Sequence, residues 1–353
     1  MREITLSDVD DIATGAAVLG TGGGGDPHIG RLLAGAALRA YGTVSMVPLD
    51  EVPPDATVMP VAMMGAPTVM VEKVPSVEQA AQAAVALAKY LGRELTHIAC
   101  AEAGGVNSLI PVVAAAQLGL PLVDADGMGR AFPEIQMVLP TLYGIRATPM
   151  SIADEKGNHG ILDTVDNRWA ERLARTATVE MGCSAMISTY AMTGTQARDS
   201  LVPGTLSLCG ELGALVREAR AEHSDPVDAI VTRLGGRRLF SGKVVDVSRR
   251  TSTGFAVGTA ELAGMDGYVG NLLLRFQNEH LVAEVDGTVV ASVPDLICVL
   301  DRETGKAITT EALRFGQRVA VISAPSDPRW HTPAGLELAG PRYFGYDHEP
   351  VRG

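Results

Sequence analysis

The chain has 353 residues, 46% of them hydrophobic and 20% charged, with a formal net charge of −12. That length supports two or three domains with cores of their own, and that acidity, with no long Lys/Arg run against it, excludes nucleic acid and anionic membrane as primary partners. Aromatics are only 4%, so the cores must be built from Ala, Val, Leu, Ile and Met.

The opening residues, Met1 to Asp11, carry acids where a secretory signal needs an apolar stretch. No apolar run approaches the roughly 20 residues of a membrane span. The four cysteines, Cys100, Cys183, Cys209 and Cys298, form no CxxC pair. A cytoplasmic protein with free thiols is expected.

Residues 6–20 have helical spacing, with Ser7 or Asp8 as the cap. The run "GTGGGGDP" (20–27) follows, and Asp26 with Pro27 is a good start for a second helix. The glycines therefore link two helices. Short apolar runs at 43–49, 57–64, 97–100 and 121–126 read as buried strands, and Ala-rich helices are expected over 76–92 and 108–119. That alternation predicts an α/β fold, a mostly parallel sheet with helices on both faces, over residues 1–166. Residues 167–235 read as a helical connecting segment. From 236 to 353 short β-rich runs separated by Gly, Asp and Asn predict an all-β, barrel-like domain, with a hairpin at "VDGT" and a Pro/Gly-rich C-terminal wrap.

In open parallel sheets, ligands bind beyond the carboxyl ends of the strands. The segments after the second, third and fourth strands are rich in Gly and polar groups, and bring Glu72, Lys73, Glu102, Asn107, Asp124, Asp126, Arg130 and Glu134 to one rim. Each has a plainer reading beside the functional one. Asn107 or Ser108 can cap a helix, Asp124 and Asp126 can make an Asx-turn, and Arg130 can pair with Glu134 four residues on. In an extended segment Asp124 and Asp126 share one side, which also suits a divalent metal.

Gly20, Gly22 and Gly25 fit G-x-G-x-x-G literally, but that fingerprint needs a strand before it, and Gly-Lys-Ser/Thr is absent. Asp26 would repel a phosphate at the following helix start. A bare backbone facing a neutral or polar ligand is the better reading, with a nucleotide-dependent enzyme using Gly20–Gly25 as an alternative. Cys183, flanked by Gly and Ser after a helix, reads as an exposed thiol, and Cys100, beside the Glu102 loop, is a second candidate. "FQNE" (276–279) reads as a hairpin turn, or as a strand end touching a neighbouring domain's ligand.

Taken together, "LGTGGGGDP", "MMGAPTVMVEK", "EAGGVNSLIP", "VDADGMGRAFPEIQM", "FQNEHLVAEVDG", "VPDLICVLD" and "GPRYFGYD" resemble the S-methyl thiohydantoin desulfurase-like family, companions of the hydantoinase/oxoprolinase group. The resemblance runs from about residue 7 to 347. It implies an N-terminal α/β domain, a C-terminal β-barrel-like domain, and replacement of an S-methyl group at C2 of a hydantoin-type cyclic imide by oxygen. A non-catalytic partner subunit of a hydantoinase or oxoprolinase is the alternative.

For such a hydrolase the expected roles are as follows. Glu102 or Asp124 serves as general base, or Cys183 as nucleophile. Gly22, Gly23, Gly24, Gly25, Asn107 and Glu72 contact the substrate, and Arg130 holds a substrate carboxylate. Either no cofactor is required, or Asp124 and Asp126 hold a divalent metal. Self-association into a homo-oligomer is expected from a surface rich in Met and Ala.

Overall fold

The computed structural model describes residues 2–65, 76–252 and 255–352. The first sheet holds β1 (Arg2–Ile4), β2 (Val44–Pro48), β3 (Thr57–Gly65), β4 (His97–Cys100), β5 (Leu122–Asp126), β6 (Met150–Ala153), β7 (His159–Leu162), β8 (Ser184–Ser188), β9 (Met192–Thr193) and β10 (Val202–Pro203). Its order is β1-β2-β5-β4-β3-β8-β6-β7, with β10 paired to β5 and β9 to β3.

The four central strands, β2, β5, β4 and β3, are parallel. β1 on one edge and β8, β6 and β7 on the other are antiparallel, so the sheet is mixed. The extra strands include Ser184–Ser188, inside the stretch expected to be mainly helical. Those five residues are all buried and too few for their pattern to stand out between two helices.

β3 shows why the sheet is covered on both faces. Val61 and Met63 join one core with α1 (Val9–Leu19), α2 (Pro27–Tyr41), α3 (Glu78–Leu91) and α4 (Ile110–Leu118). Ala62 and Met64 join a second core on the opposite face, with α5 (Leu139–Leu142), α6 (Asn167–Glu180) and α7 (Gly194–Ser200). Successive strand residues point to opposite faces, so a strand this apolar must be sandwiched. α8 (Thr205–Ala221) and α9 (Pro226–Leu234) complete the first core.

The second sheet is antiparallel: β11 (Arg237–Ser252), β12 (Phe255–Gly264), β13 (Asn271–Gln277), β14 (Glu279–Val285), β15 (Thr288–Ser292), β16 (Leu296–Asp301) and β17 (Arg318–Ala324), in the order β15-β14-β13-β12-β11-β17-β16. Register shifts at Val244/Asp246 and Arg238/Phe240 bend the long β11, and the sheet curls into a half-barrel around Phe240, Leu262, Leu274 and Val321. The expected hairpin forms at Asp286 and Gly287, with φ of 47° and 79°, the signature of a type I′ turn.

The two sheets do not stand apart. Leu296, Cys298, Leu300, Ala320 and Ile322 turn outward from the half-barrel and share the first core with α1. From the C-terminal segment, which includes α10 (Pro333–Ala339), the fully buried Trp330 donates to Met128 O at 2.8 Å. Among the described residues no helix is long and apolar enough to cross a membrane.

Candidate active site

The glycine run is the junction of the two domains. α1 ends at Leu19, and Gly20 N closes its last turn on Ala16 O at 2.8 Å. The carbonyls that follow are shared out. Thr21 O accepts from His280 N (2.8 Å), Gly22 O from Thr310 N (2.7 Å), and Gly24 O from Val106 N (2.8 Å). Gly24 has φ of +75°, and a Cβ there would meet Gly104 C at 2.7 Å. A side chain on Gly23 would meet Glu279 Oε1 at 1.9 Å, and one on Gly22 the ring of His280 at 2.6 Å. The bare backbone thus lets Gly104 and the β13–β14 turn close in. α2 starts as expected, with Asp26 accepting from His28 N. The helix start that would attract a phosphate therefore carries a carboxylate.

Beside this junction lies a cleft with about 780 Å³ of empty space, its open mouth included. Gly24, Gly25, Glu102, Asn107, Asn278 and Glu279 line its junction side. Glu102 and Glu279 are both buried, one from each domain. Glu102 Oε1 and Glu279 Oε2 are buried without a hydrogen-bond partner among the described residues.

Burial pushes the Glu102 carboxyl well above the usual carboxylate range, and the negative charges of Glu279 and Asp126 push the same way. Burial likewise raises Glu279 to about 8, opposed by the Arg130 guanidinium. Two carboxyls raised together on one cleft can divide the roles of base and acid between them, one ionised and one protonated.

Neighbouring groups are held still. Asn107 Oδ1 accepts from Met63 N at 2.7 Å and its Nδ2 donates to Met63 O at 3.2 Å, tying the Glu102 loop to β3. Asn278, at φ of 58° in the β13–β14 turn, accepts from Ala256 N at 2.8 Å through Oδ1, which leaves its Nδ2 pointing away from that bond. Met63, Met64, Met128, Phe132 and Ile187 form apolar walls, and Glu134, Arg175, Thr189 and Tyr190 add polar groups. Glu134 is held by the Tyr343 hydroxyl at 2.8 Å and by Gln136.

The sequence-derived candidates divide. Glu102, Asn107, Gly24 and Gly25 line the cleft; Gly22 and Gly23 back it by admitting His280 and Glu279. Glu72 lies outside the described residues.

Asp124 is elsewhere. Its carboxylate accepts from Leu206 N (3.1 Å), Ser207 N (3.0 Å) and Ser207 Oγ (2.5 Å), capping the start of α8. Asp126 accepts from Ala103 N, Met128 N and Gly129 N at 2.7–3.0 Å. With both carboxylates filled by such donors, they do not form a metal pair. The described residues contain no group of three or more His, Cys, Asp or Glu placed to hold a metal ion.

Arg130 is fully buried and does not pair with Glu134. It donates to Ala131 O, Pro294 O, Asp295 O and Thr21 Oγ1 at 2.7–3.2 Å, bolting the two domains together. Burial brings its pKa down to about 10, which still leaves it charged. Its donors are spent on the protein, so it cannot clamp a substrate carboxylate.

Cys183 sits at φ of 65° in the turn between α6 and β8 and does not line the cleft. Cys100 is buried, donates to Glu102 O at 2.9 Å, and has its thiol pKa raised by burial, so it is no nucleophile. The residue not placed among the candidates is Glu279. Its signal was the polar triplet before β14, and the two readings of "FQNE" coincide: it is a hairpin turn, and it reaches the other domain's cleft.

Models of the S-Me-THD-like N-terminal and C-terminal domains match residues 7–164 and 165–352. A crystal structure of a protein from Chromobacterium violaceum superposes with a TM-score of 0.84 at 24% identity, over 100% of this chain and 99% of that one, which shows a shared fold. A search of curated proteins found no match.

Proposed function

The chain belongs to the S-Me-THD-like family, and from that premise we propose that it hydrolyses a thiohydantoin-type cyclic imide, replacing a methylthio group at ring C2 by oxygen. The observation that carries this reading is the pair Glu102 and Glu279, each with a buried, unpartnered carboxyl oxygen on one cleft. A buried carboxyl oxygen without a hydrogen-bond partner in the protein is costly, which favours a polar ligand at this end of the cleft.

C2 of a 2-methylthio-imidazolone is amidine-like and electrophilic. Ionised Glu279 takes a proton from water as the water oxygen bonds to C2. Protonated Glu102 gives its proton to the ring nitrogen, so the electrons of the C=N bond settle there. The tetrahedral centre then collapses. The C2–S bond breaks, the proton held by Glu279 goes to sulfur, and C2 becomes a carbonyl. Water and substrate give hydantoin and methanethiol, because the proton of the C2 hydroxyl is released as the carbonyl forms and restores the one that Glu102 gave to the ring nitrogen. Asn278 Nδ2 supplies a donor for the C4 carbonyl, and the apolar walls exclude bulk water.

Methanethiol release from 2-methylthio-imidazolones by the purified chain tests this. Glu279→Gln and Glu102→Gln are each expected to lower kcat by about 10²–10⁴-fold, the usual contribution of a general acid or base. Full turnover in both variants would sink the assignment. Turnover by the chain alone would also remove the reading of a non-catalytic partner subunit.

A further inference from the structure

We propose that Glu311, in the loop between β16 and β17, is a positioning residue for Glu279: the two carboxyls and the His280 ring share buried water behind the glycine run, and Glu311 acts on the reaction through Glu279. The inference rests on the hydrolase reading above. Three segments meet at Gly22. Gly22 O accepts from Thr310 N at 2.7 Å and from Thr310 Oγ1 at 3.1 Å. Thr310 Oγ1 also lies 2.7 Å from Asn278 O, and Thr21 O accepts from His280 N at 2.8 Å. Glu279 and Glu311 are each next in sequence to a residue of this knot. A Cβ on Gly22 would stand 2.8 Å from His280 Nε2 and 3.0 Å from Thr310 Cγ2, so the ring and the Thr310 side chain face each other across bare backbone.

Around the knot, Glu279 Oε2, both ring nitrogens of His280 and Glu311 Oε1 are buried without a hydrogen-bond partner among the described residues. Burial brings the His280 pKa down to about 3, so the ring is neutral and keeps one N–H and one lone pair. A donor and an acceptor left unmet on one buried ring are what ordered water satisfies, and the neighbouring carboxyl oxygens supply its remaining partners. Glu311 does not line the cleft, so it reaches the reacting atoms only through Glu279. Its loop is fixed by Arg249, which donates to Thr310 O, Glu311 O and Leu313 O at 2.5–3.1 Å. Beyond burial, the charges acting on Glu279 are Arg130, which favours its ionised form, and Glu311, which opposes it; the charge of Glu279 acts in turn on Glu102. An ionised Glu311 therefore holds the proton on Glu279 and makes it the stronger base.

The test follows the titration of the Glu279 carboxyl in the full chain by NMR of carbon-labelled glutamate, its resonance assigned by its loss in Glu279→Gln, so it does not depend on turnover. Glu311→Gln should lower the proton affinity of Glu279 by about 3-fold or more, as removal of a nearby like charge implies. Glu311→Asp, which keeps the charge, should stay close to the wild type. A merely structural role would lower the melting temperature of both variants and give no such split. In methanethiol release, the rising limb of kcat/KM should move to lower pH in Glu311→Gln and stay in place in Glu311→Asp.

Should Glu311→Gln fail to fold, Glu279→Gln decides, because the coupling is reciprocal. With the Glu311 resonance assigned from Glu311→Asp, Glu311 should lose its proton at lower pH in Glu279→Gln than in the wild type. An unchanged titration of Glu279 in Glu311→Gln, or of Glu311 in Glu279→Gln where the first cannot be measured, overturns the proposal. So does a shift as large in Glu311→Asp as in Glu311→Gln, or a crystal structure of the chain in which the space beside His280 is dry. Coupled titration with no methanethiol released from a 2-methylthio-imidazolone would leave Glu311 tied to Glu279 and remove the hydrolase instead.

Discussion

A Cβ on Gly23 would stand 1.9 Å from Glu279 Oε1. The two residues come from different domains, and the absent side chain of one is the space that the carboxyl of the other occupies. Gly23→Ala should therefore act on Glu279 rather than on the backbone. The clashing atoms all belong to the Glu279 side chain, which can swing aside. Turnover should fall by about 10²-fold or more, as for loss of a general base, with little change in melting temperature. Adding Glu279→Gln should then cost little more. An active Gly23→Ala enzyme would show that the position of Glu279 is not critical.

In the proposed mechanism the Glu102–Glu279 pair sets the pH dependence of turnover. Glu279 must be ionised to act as base, and its pKa is raised to about 8. With Glu279 as the base, kcat/KM should rise with pH up to about 8, and it should fall once Glu102, whose carboxyl burial also pushes well above the usual range, ionises in its turn. Glu279→Gln should remove the rising limb. A profile flat from pH 6 to 9 would contradict this order of ionisation.

The same shifts govern stability. A carboxyl whose folded pKa is raised binds its proton in the folded state when the unfolded chain has lost it, so stability falls as pH rises between the two values. For Glu279 the window runs from 4.5 to about 8. Below 6.5 the neutral, buried His280, lowered to about 3, works the other way, because the unfolded chain binds its proton there. Between pH 6.5 and 8 the carboxyls act alone of the two. Denaturant midpoints should drop across that interval, and the drop should be smaller in Glu279→Gln.

Arg130 is expected to be a stability residue. Arg130→Met removes the donors of Pro294 O, Asp295 O and Thr21 Oγ1 together, and should cost roughly 3–5 kcal/mol in chemical unfolding, as breaking buried charged networks does. It also removes the positive charge that favours ionised Glu279. Any activity that survives should have its rising limb shifted to higher pH. An unchanged midpoint would refute the bolt between the domains.

Asp124 and Cys183 should separate cleanly from the dyad. Asp124→Asn weakens the cap of α8 and should cost about 1 kcal/mol, with methanethiol release unchanged. Cys183→Ala should leave turnover intact. Loss of turnover without loss of stability in either variant would return it to the site.

Much of the fold was legible in the residues because it depends on local rules. Asp26-Pro27 starts α2, Asp286-Gly287 closes its hairpin, and the apolar runs of β3, β4 and β5 can only be buried. The strand at Ser184–Ser188 was hidden because one of its pairing partners, β3, lies more than a hundred residues earlier, and three apolar residues between two serines do not declare a period. At the site, Glu102 and Asn107 were found because they follow a strand of a parallel sheet.

By itself, the sequence determined the family, the parallel core strands with their helices, and the positions where backbone must stay bare. Which acid keeps an unfilled oxygen on the cleft was decided by the tertiary structure alone. Asp124, Asp126 and Glu102 look alike along the chain, yet two of them are filled with backbone N–H donors and the third keeps an empty oxygen. Glu279 joins that third acid only when the half-barrel docks on the glycine run. Hydrogen-bond saturation and burial depend on what lies across space, so no local pattern encodes them.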